Sequence, residues 1–182
     1  MLLSRVRPSN LQLTLAILKP DLLQHPPYHR RVQQMILDSD FLVVRSNTVH
    51  LSSSRAEQFY EEHREKFFYN RLVTFMSSGP CQPLILAGQD TIARWRELMG
   101  PTKVFRTRFS HPQSVRGRFG LTDTRNVSHG SDSDQSASQE IRFFFPEFSL
   151  ESWEEEEREH FQTGNIVFDR DNFVHRIRSS QS

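Results

Sequence analysis

Cysteine, glycine and long apolar runs are scarce in this sequence, and each scarcity excludes a class of protein. Its 182 residues include one cysteine, Cys81, which rules out an internal disulfide and any metal site built from several cysteines. A single free thiol also fits a reducing compartment. The seven glycines form neither a glycine-rich phosphate loop nor an internal repeat. No apolar run is long enough to span a membrane.

Charge is balanced overall but unevenly distributed. The net charge is +1, so bulk charge indicates no class of partner. Residues 94–125 carry eight Lys or Arg and two acids, which makes this segment a candidate anion site. Residues 147–159 carry seven Glu and one Arg, a pattern typical of a solvated face or tail.

Length and composition predict one domain with short extensions. Apolar residues make up 36% of the chain and 15 residues are Phe, enough for a sizeable core filled largely by aromatic rings. We predict a flexible N-terminus over residues 1–10, a folded domain over 11–146 and an acidic C-terminal extension over 147–182.

The first ten residues contain two Arg, two Ser and no acid. Two interpretations stay open: an ordinary flexible terminus, which we favour, and a mitochondrial transit segment. The expected compartment is accordingly the mitochondrial matrix or the cytoplasm.

The order of predicted elements favours a two-layer α+β sandwich. Alternation of apolar and polar residues over 11–18 predicts a half-buried strand. Further strands are predicted over 41–49, 83–87 and 121–127, helices over 30–37, 53–65, 67–76, 91–99 and 133–145, and a long basic loop over 101–120.

The stretch N-V-S-H-G-S-D-S, residues 126–133, lies between a predicted strand and a predicted helix. Ser131 or Asp132 is suited to cap that helix. His129 would then lie just before a helix N-terminus, where a phosphate is favoured. Glu140, on the same helix, is placed to accept a hydrogen bond from one ring nitrogen and leave the other as a nucleophile. An exposed turn histidine is the alternative.

Other residues suit the handling of a nucleotide, although each has an ordinary alternative. Lys19 stands at the end of the first strand, where it would face the mouth of a sheet or simply solvent. One of the adjacent rings of 67–69 is free to offer a stacking face, since three neighbouring positions cannot all face one core. Four basic side chains lie in the basic segment, where two arginines would clamp a polyphosphate or the whole segment would be a solvated loop: Arg96, Lys103, Arg116 and Arg118.

Taken together, these motifs resemble the nucleoside diphosphate kinase family. The similarity runs from about residue 11 to residue 145, and the histidine stretch is its most specific part. The segments FFYNRLV, MGPT and GLTDTRN resemble the divergent group II branch, type six. The supporting motifs are K-P-D at 19–21, M-x-S-G-P at 76–80, R-x-x-M-G-x-T at 96–102, and V-R-G at 115–117 in place of I-R-G.

The resemblance implies a ferredoxin-like α+β sandwich with a four-stranded antiparallel sheet and helices packed on it. It also implies transfer of the γ-phosphoryl group of a nucleoside triphosphate to a nucleoside diphosphate. His129 would attack the γ-phosphorus and carry it as phosphohistidine, and Glu140 would orient His129. Magnesium would arrive with the nucleotide, without a dedicated protein cage. The implied nucleotide contacts are Lys19, Arg116 and Asn126 at the sugar and transferred phosphate, Arg96 and Thr102 at the β-phosphate, and Phe68 at the base.

The sequence departs from the family pattern at two places. Arg64 replaces the tyrosine that usually follows Glu-His, and the family's Arg-Pro pair is missing from the shortened link to Phe68. The loop between Thr102 and Arg116 is a few residues longer, which argues against the usual hexamer; other homo-oligomers stay open. It carries Phe105, Arg106, Arg108 and Phe109.

Besides an active kinase acting on nucleoside di- and triphosphates, two alternatives remain. One is a weakly active or inactive nucleotide-binding scaffold that acts through a protein partner, bound by the long loop or the acidic tail. The other is nucleic-acid binding by the basic, Phe-containing segment 103–119. The near-neutral net charge and the small size of this patch argue against the second.

Overall fold

The computed structural model describes residues 10–179. Its main sheet has four antiparallel strands in the spatial order β2-β3-β1-β4. The strands are β1 (Gln12–Leu18), β2 (Leu42–Ser46), β3 (Gln82–Gly88) and β4 (Ser128–Gly130). Helices connect β1 to β2 and β3 to β4, which gives the ferredoxin-like arrangement. The predicted α+β sandwich is confirmed.

Helices fill the connections between the strands. Between β1 and β2 lie α1 (Pro20–Leu23) and α2 (Pro26–Asp38). Between β2 and β3 lie α3 (Ser53–Phe59), a 3-10 turn (Glu61–His63) and α4 (Tyr69–Met76). Between β3 and β4 lie α5 (Thr91–Met99), α6 (Val104–Ser110) and α7 (Val115–Phe119), and α8 (Asp134–Phe144) follows β4.

Both faces of the sheet are buried. In β1, Leu15 and Ile17 belong to the core on one face, and Ala16 and Leu18 belong to the core on the other. The strand predicted for residues 11–18 is confirmed as β1, but the prediction that it is half-buried is wrong over its second half, where every residue is buried. β1 is a central strand, and helices cover it on both sides, so the sandwich gains a layer that the two-layer prediction lacked.

The residues after α8 form part of this further layer. A continuous helical segment runs through α9 (Leu150–Ser152), a π turn (Trp153–Glu157) and α10 (Arg158–Thr163). A hairpin of β5 (Ile166–Asp169) and β6 (Val174–Ile177) then lies beside β2. There the His175 Nδ1 accepts a hydrogen bond of 2.9 Å from the backbone N–H of Val43. Arg45 of β2 makes a two-pronged ion pair with Glu157 at 2.6 and 3.0 Å.

The long loop predicted over 101–120 is wrong, because two helices occupy it. Local propensity misses α6, since its first N–H group, at Val104, is satisfied by the distant Asp123 Oδ1 at 3.1 Å. The cap of α7 is local: Ser114 Oγ accepts the Gly117 N–H at 3.0 Å. The strand predicted over 121–127 is also wrong. The N–H groups of Leu121 and Thr122 both donate to the Arg125 carbonyl, which closes a turn, and Val127 has φ of 65° just before β4.

Two further expectations concern the N-terminus and membrane-spanning helices. The flexible terminus or transit segment predicted over residues 1–10 lies outside the described residues, apart from Asn10. Within residues 10–179, no helix is both long enough and apolar enough to cross a membrane.

Candidate active site

A cleft of about 840 Å³ opens where β1 ends and β4 begins. Leu18, the last residue of β1, pairs with Gln82 of β3 on one side and Ser128 of β4 on the other. This end of the sheet therefore brings together residues that are distant in sequence. The cleft is lined by all eight residues predicted for the site: Lys19, Phe68, Arg96, Thr102, Arg116, Asn126, His129 and Glu140.

The backbone of His129 is fixed from two sides. It pairs with Ile17 in the sheet, and its carbonyl accepts a hydrogen bond of 3.0 Å from the indole N–H of Trp95. The next residue must be glycine for this contact to form. A Cβ at Gly130 would lie 2.6 Å from the Trp95 ring, closer than such atoms approach one another.

The imidazole of His129 has one anchored nitrogen and one free nitrogen. Its Nε2 lies 3.0 Å from Glu140 Oε2, and the hydroxyl of Ser131 donates to the same oxygen at 2.6 Å. A carboxylate oxygen accepts, so this contact places the ring proton on Nε2. Nδ1 has no hydrogen-bond partner within residues 10–179, and it keeps its lone pair. The ring thus presents a nucleophilic nitrogen in the cleft.

Lys19 is a buried basic side chain that lines the same cleft as His129. It is 5% exposed, and its Nζ donates to Asn126 Oδ1 at 2.7 Å. Burial lowers the pKa of Lys19 to about 7, and repulsion from the Arg116 guanidinium adds to the effect, while Asp21 opposes it. At neutral pH the charged form is therefore stabilised less than it would be in water.

Arg116 is the second buried cation, 8% exposed. Its guanidinium donates to the backbone carbonyls of Gly100 at 2.8 Å and Ser128 at 3.0 Å, and its Nε is buried without a partner among the described residues. Burial, followed by repulsion from Arg96, lowers its pKa to about 10. Because neither Arg116 nor Lys19 forms an ion pair with a carboxylate in the described chain, the pair favours binding of an anion.

The K-P-D turn also holds the chain that leads into β4. Asp21 Oδ2 accepts the N–H of Val127 at 3.1 Å, and the Lys19 N–H donates to the Val127 carbonyl at 2.9 Å. Val127 has φ of 65°, an unfavourable conformation for a β-branched residue. These two hydrogen bonds hold Val127 in that conformation, and they thereby fix the backbone of its neighbours Asn126 and Ser128. Burial raises the pKa of the Asp21 carboxyl.

The outer wall of the cleft carries the remaining predicted residues. Arg96 and Thr102 are exposed at the end of α5 and just beyond it. Phe68 is half-buried at the start of α4, with its ring 5.6 Å from that of His63. Arg64, the departure from the family pattern, does not line the cleft, because it pairs with Glu61 at 2.8 Å on the surface.

Some features of the site were missed or misassigned from the sequence. Ser131 and Asp132 do not cap α8: Ser133 is its N-cap, in a capping box with Ser136. Ser131 instead bonds Glu140, and the period of two along a strand could have indicated this, since residues 129 and 131 share a face. Phe59, which lines the cleft and contacts the imidazole, carries no sequence signal of a site.

Residues 12–150 match the family model for nucleoside diphosphate kinase. The chain belongs to this family. It is 51% identical over 172 residues to nucleoside diphosphate kinase 6 of Xenopus tropicalis, covering 94% of this chain and 95% of that protein. It is 50% identical over 170 residues to the Homo sapiens protein of the same name, covering 93% and 91%. The predicted relation to the divergent branch, type six, is confirmed.

Solved structures of nucleoside diphosphate kinases share the fold. The enzyme of Aquifex aeolicus superposes with a TM-score of 0.72 and 36% identity, covering 75% of this chain and 96% of that one. The halophilic enzyme of Halobacterium salinarum, solved in complex with CDP, gives a TM-score of 0.68 and 28% identity, covering 75% and 88%. Residues 12–150, which match the family model, include every residue that lines the cleft.

Proposed function

We propose that this nucleoside diphosphate kinase family member is an active enzyme that transfers a γ-phosphoryl group through a phosphohistidine. The observation that carries the proposal is the His129 ring, which has Nε2 bonded to Glu140 at 3.0 Å and Nδ1 without a partner among the described residues. Family membership and similarity to nucleoside diphosphate kinase 6 proteins support it.

In the first half-reaction the Nδ1 lone pair attacks the γ-phosphorus. An N–P bond forms, and the bond between phosphorus and the β,γ-bridging oxygen breaks, so the electron pair leaves with the nucleoside diphosphate. The proton on Nε2 stays there, and Glu140 stabilises the positive charge that develops on the ring. In the second half-reaction a β-phosphate oxygen of the acceptor diphosphate attacks the phosphorus, and the N–P electron pair returns to Nδ1.

The cations of the cleft neutralise the transferred phosphate. Phosphoryl transfer needs positioning and charge neutralisation more than covalent chemistry from the protein. Lys19 and Arg116, buried and without a carboxylate partner among residues 10–179, are suited to the phosphate nearest His129. Arg96 and Thr102 would hold the outer phosphate, and Asn126 would contact the sugar with Lys19.

Phe68 would stack on the base. Stacking uses the face that every base has, so it predicts tolerance of purines and pyrimidines alike. The CDP complex of the Halobacterium salinarum relative supports a pyrimidine nucleotide in this fold.

Magnesium is expected to enter as part of the nucleotide substrate. Within residues 10–179, no three His, Cys, Asp or Glu side chains come close enough together to hold a metal ion. Mg²⁺ keeps several waters and commonly binds through substrate phosphates, so a dedicated protein cage is not required. Bound there, it would offset negative charge on the phosphates, and the protein's own part is to position the polyphosphate.

Replacing the nucleophile tests this proposal. His129→Ala removes the attacking nitrogen and leaves Lys19, Arg116 and Phe68 in place. We expect transfer between ATP and a nucleoside diphosphate to fall to background, while ADP affinity by calorimetry changes less than about threefold. The wild-type protein should give parallel lines in double-reciprocal plots at several fixed acceptor concentrations. Intersecting lines, or a His129→Ala variant that keeps its activity, would contradict the mechanism.

A nucleotide-binding scaffold is the second candidate, and one observation favours it. Phe105 and Phe109 on α6 are 75% and 77% exposed, with ring centroids 5.6 Å apart. Exposed aromatic pairs of this kind often belong to interaction surfaces. Nucleotide binding by wild-type protein without any transfer activity would support this candidate.

Nucleic-acid binding by segment 103–119 has the weakest support, because the net charge is only +1 and one of its basic side chains is paired with a carboxylate. Lys103 lies 3.3 Å from Asp123, and Arg108 donates to the Gly120 carbonyl at 2.7 Å. Arg118 bonds Gln113.

A further inference from the structure

We infer that Phe59 is a positioning residue for the nucleophile: its ring packs against the His129 imidazole and keeps Nδ1 directed into the cleft. The two ring centroids are 5.4 Å apart, and the ring planes are inclined by 70°, an edge-to-face arrangement. This inference deepens the proposed function and rests on it in one respect, since Nδ1 needs a fixed direction only if it attacks phosphorus.

The imidazole turns about its Cβ–Cγ bond, and such a turn moves both ring nitrogens. The hydrogen bond from Nε2 to Glu140 restrains this turn only while it is formed. A ring packed against the imidazole restrains the same turn by steric contact. Phe59 supplies that contact from α3, whereas Glu140 lies on α8.

Phe59 also contacts the helix that carries Glu140. Its ring centroid lies 5.3 Å from that of Phe143 and 5.0 Å from that of Phe144, three and four residues after Glu140. These spacings put both rings within one turn of the carboxylate. A single side chain therefore packs against the nucleophile and against the helix that orients it, so the two are held relative to each other.

The exposure of Phe59 distinguishes it from ordinary core residues. Phe161, a core residue of the same layer, is 1% exposed, whereas Phe59 is partly exposed and lines the cleft. Its neighbour Tyr60 is buried. At position 64 the family has a tyrosine and this chain has Arg64, which pairs with Glu61 on the surface. That position therefore supplies no aromatic ring to the cleft.

The test compares two truncations of the same aromatic cluster in the full-length chain. Phe59→Leu removes the ring from His129. Phe143→Leu is the matched control, because its ring contacts Phe59 and Phe144 but has no contact with the imidazole among the described residues. We expect Phe59→Leu to slow phosphorylation of His129 roughly tenfold or more in a single turnover, with nucleotide KM within about twofold. Phe143→Leu should stay within about threefold of wild type.

A second readout does not depend on activity. Nitrogen-15 NMR of the imidazole reports which ring nitrogen carries the proton. In wild-type protein at pH 8 we expect one His129 tautomer, protonated on Nε2, and in Phe59→Leu a mixture, because the loosened ring leaves Glu140 part of the time. Phe143→Leu should keep the single tautomer.

The outcomes separate the two proposals. Equal rate losses in both variants, or an unchanged tautomer in Phe59→Leu, would overturn the positioning role and leave the phosphohistidine mechanism intact. If wild-type protein never becomes phosphorylated, the proposed function fails and the NMR result alone decides. A mixed tautomer confined to Phe59→Leu then supports positioning, and a single tautomer in both variants refutes it.

Discussion

At the scale of single residues, the feature that most distinguishes the cleft is a pair of buried cations. Lys19 and Arg116 are directed to neutral acceptors, Asn126 and backbone carbonyls, rather than to carboxylates. Burial lowers the pKa of both side chains; repulsion from Arg116 adds to the effect at Lys19, and repulsion from Arg96 adds to it at Arg116. The free protein thus holds charge in an unfavourable place, and an anionic phosphate would relieve it.

Nucleotide binding should therefore take up a proton through Lys19. Its pKa of about 7 in the free protein leaves the amine mostly neutral at pH 8. A bound phosphate favours the charged form, so the pKa rises on binding and about one proton enters the complex at pH 8. Affinity for ADP should accordingly fall as pH rises above 7. Arg116, with a pKa of about 10, stays charged over this range.

Calorimetry in buffers of different ionisation enthalpy measures this uptake. Lys19→Met is the control, because it has no titrating amine and should show little uptake at pH 8. Proton release, or equal uptake by Lys19→Met and wild-type protein, would show that Lys19 is not the group that couples binding to pH.

The sequence motifs predicted residues that line the cleft, and they predicted the contacts among these residues only in part. The hydrogen bond between His129 and Glu140 was expected from the sequence and is present at 3.0 Å. The strained conformation of Val127 was not, since a valine gives no sign of positive φ and its partner Asp21 lies 106 positions away. The contact between Phe59 and His129 was missed for a similar reason, because it joins α3 to β4 through tertiary packing.

At the scale of elements, two serines near the start of α8 have different roles: Ser133 caps the helix, and Ser131 belongs to the candidate site. Ser133 Oγ accepts the Ser136 N–H at 3.1 Å, so it stabilises the helix. Ser131 Oγ donates to Glu140 at 2.6 Å, so it supports the carboxylate that is hydrogen-bonded to His129. The two serines are only two residues apart, but one stabilises a helix and the other contacts a side chain of the candidate site.

Alanine substitutions should separate these roles. Ser131→Ala should slow phosphoryl transfer roughly three- to tenfold, because Glu140 loses one of its two hydrogen-bond donors. Ser133→Ala should lower the free energy of unfolding by about 1 kcal/mol through loss of the cap, with transfer nearly unchanged. Urea titration and single-turnover kinetics on both variants check this. A Ser133→Ala variant with the greater loss of rate would reverse the assignment.

Elements with local signals were predicted well, and those that depend on distant partners were not. The helix predicted over residues 91–99 is α5, with the same bounds. The prediction for α6 and α7 is a loop, because the start of α6 is stabilised by the Asp123 carboxylate, which follows both helices in the sequence. The strand β4 was placed too early because Val127 interrupts the extended chain.

At the scale of the whole molecule, one face of the sheet, the face of Leu15 and Ile17, is covered by a layer that includes the segment after residue 147. Trp153 and Phe161 from this segment are buried in the same core as Leu15 and Ile141. The extension predicted as a solvated acidic tail therefore has an apolar face as well as its run of glutamates. Its domain boundary at residue 147 stays a prediction.

Stability measurements should show whether this segment is integral to the fold. Trp153 is fully buried, so Trp153→Ala should lower the free energy of unfolding by roughly 3–5 kcal/mol. Val167→Ala is the control, since Val167 is 51% exposed on β5 and should change stability by less than about 0.5 kcal/mol. Urea unfolding monitored by circular dichroism compares them. A neutral Trp153→Ala variant would mean that the segment packs only loosely.

The central claim is that His129 carries the phosphoryl group, and trapping the phosphoenzyme tests it most directly. The full-length protein is mixed with γ-labelled ATP and magnesium, quenched, and then chased with a nucleoside diphosphate. The mechanism predicts an acid-labile, base-stable label on the wild-type protein, absent from His129→Ala, that moves quantitatively to the added diphosphate. A protein that binds ATP but takes up no label, or a label that persists in His129→Ala, would contradict it.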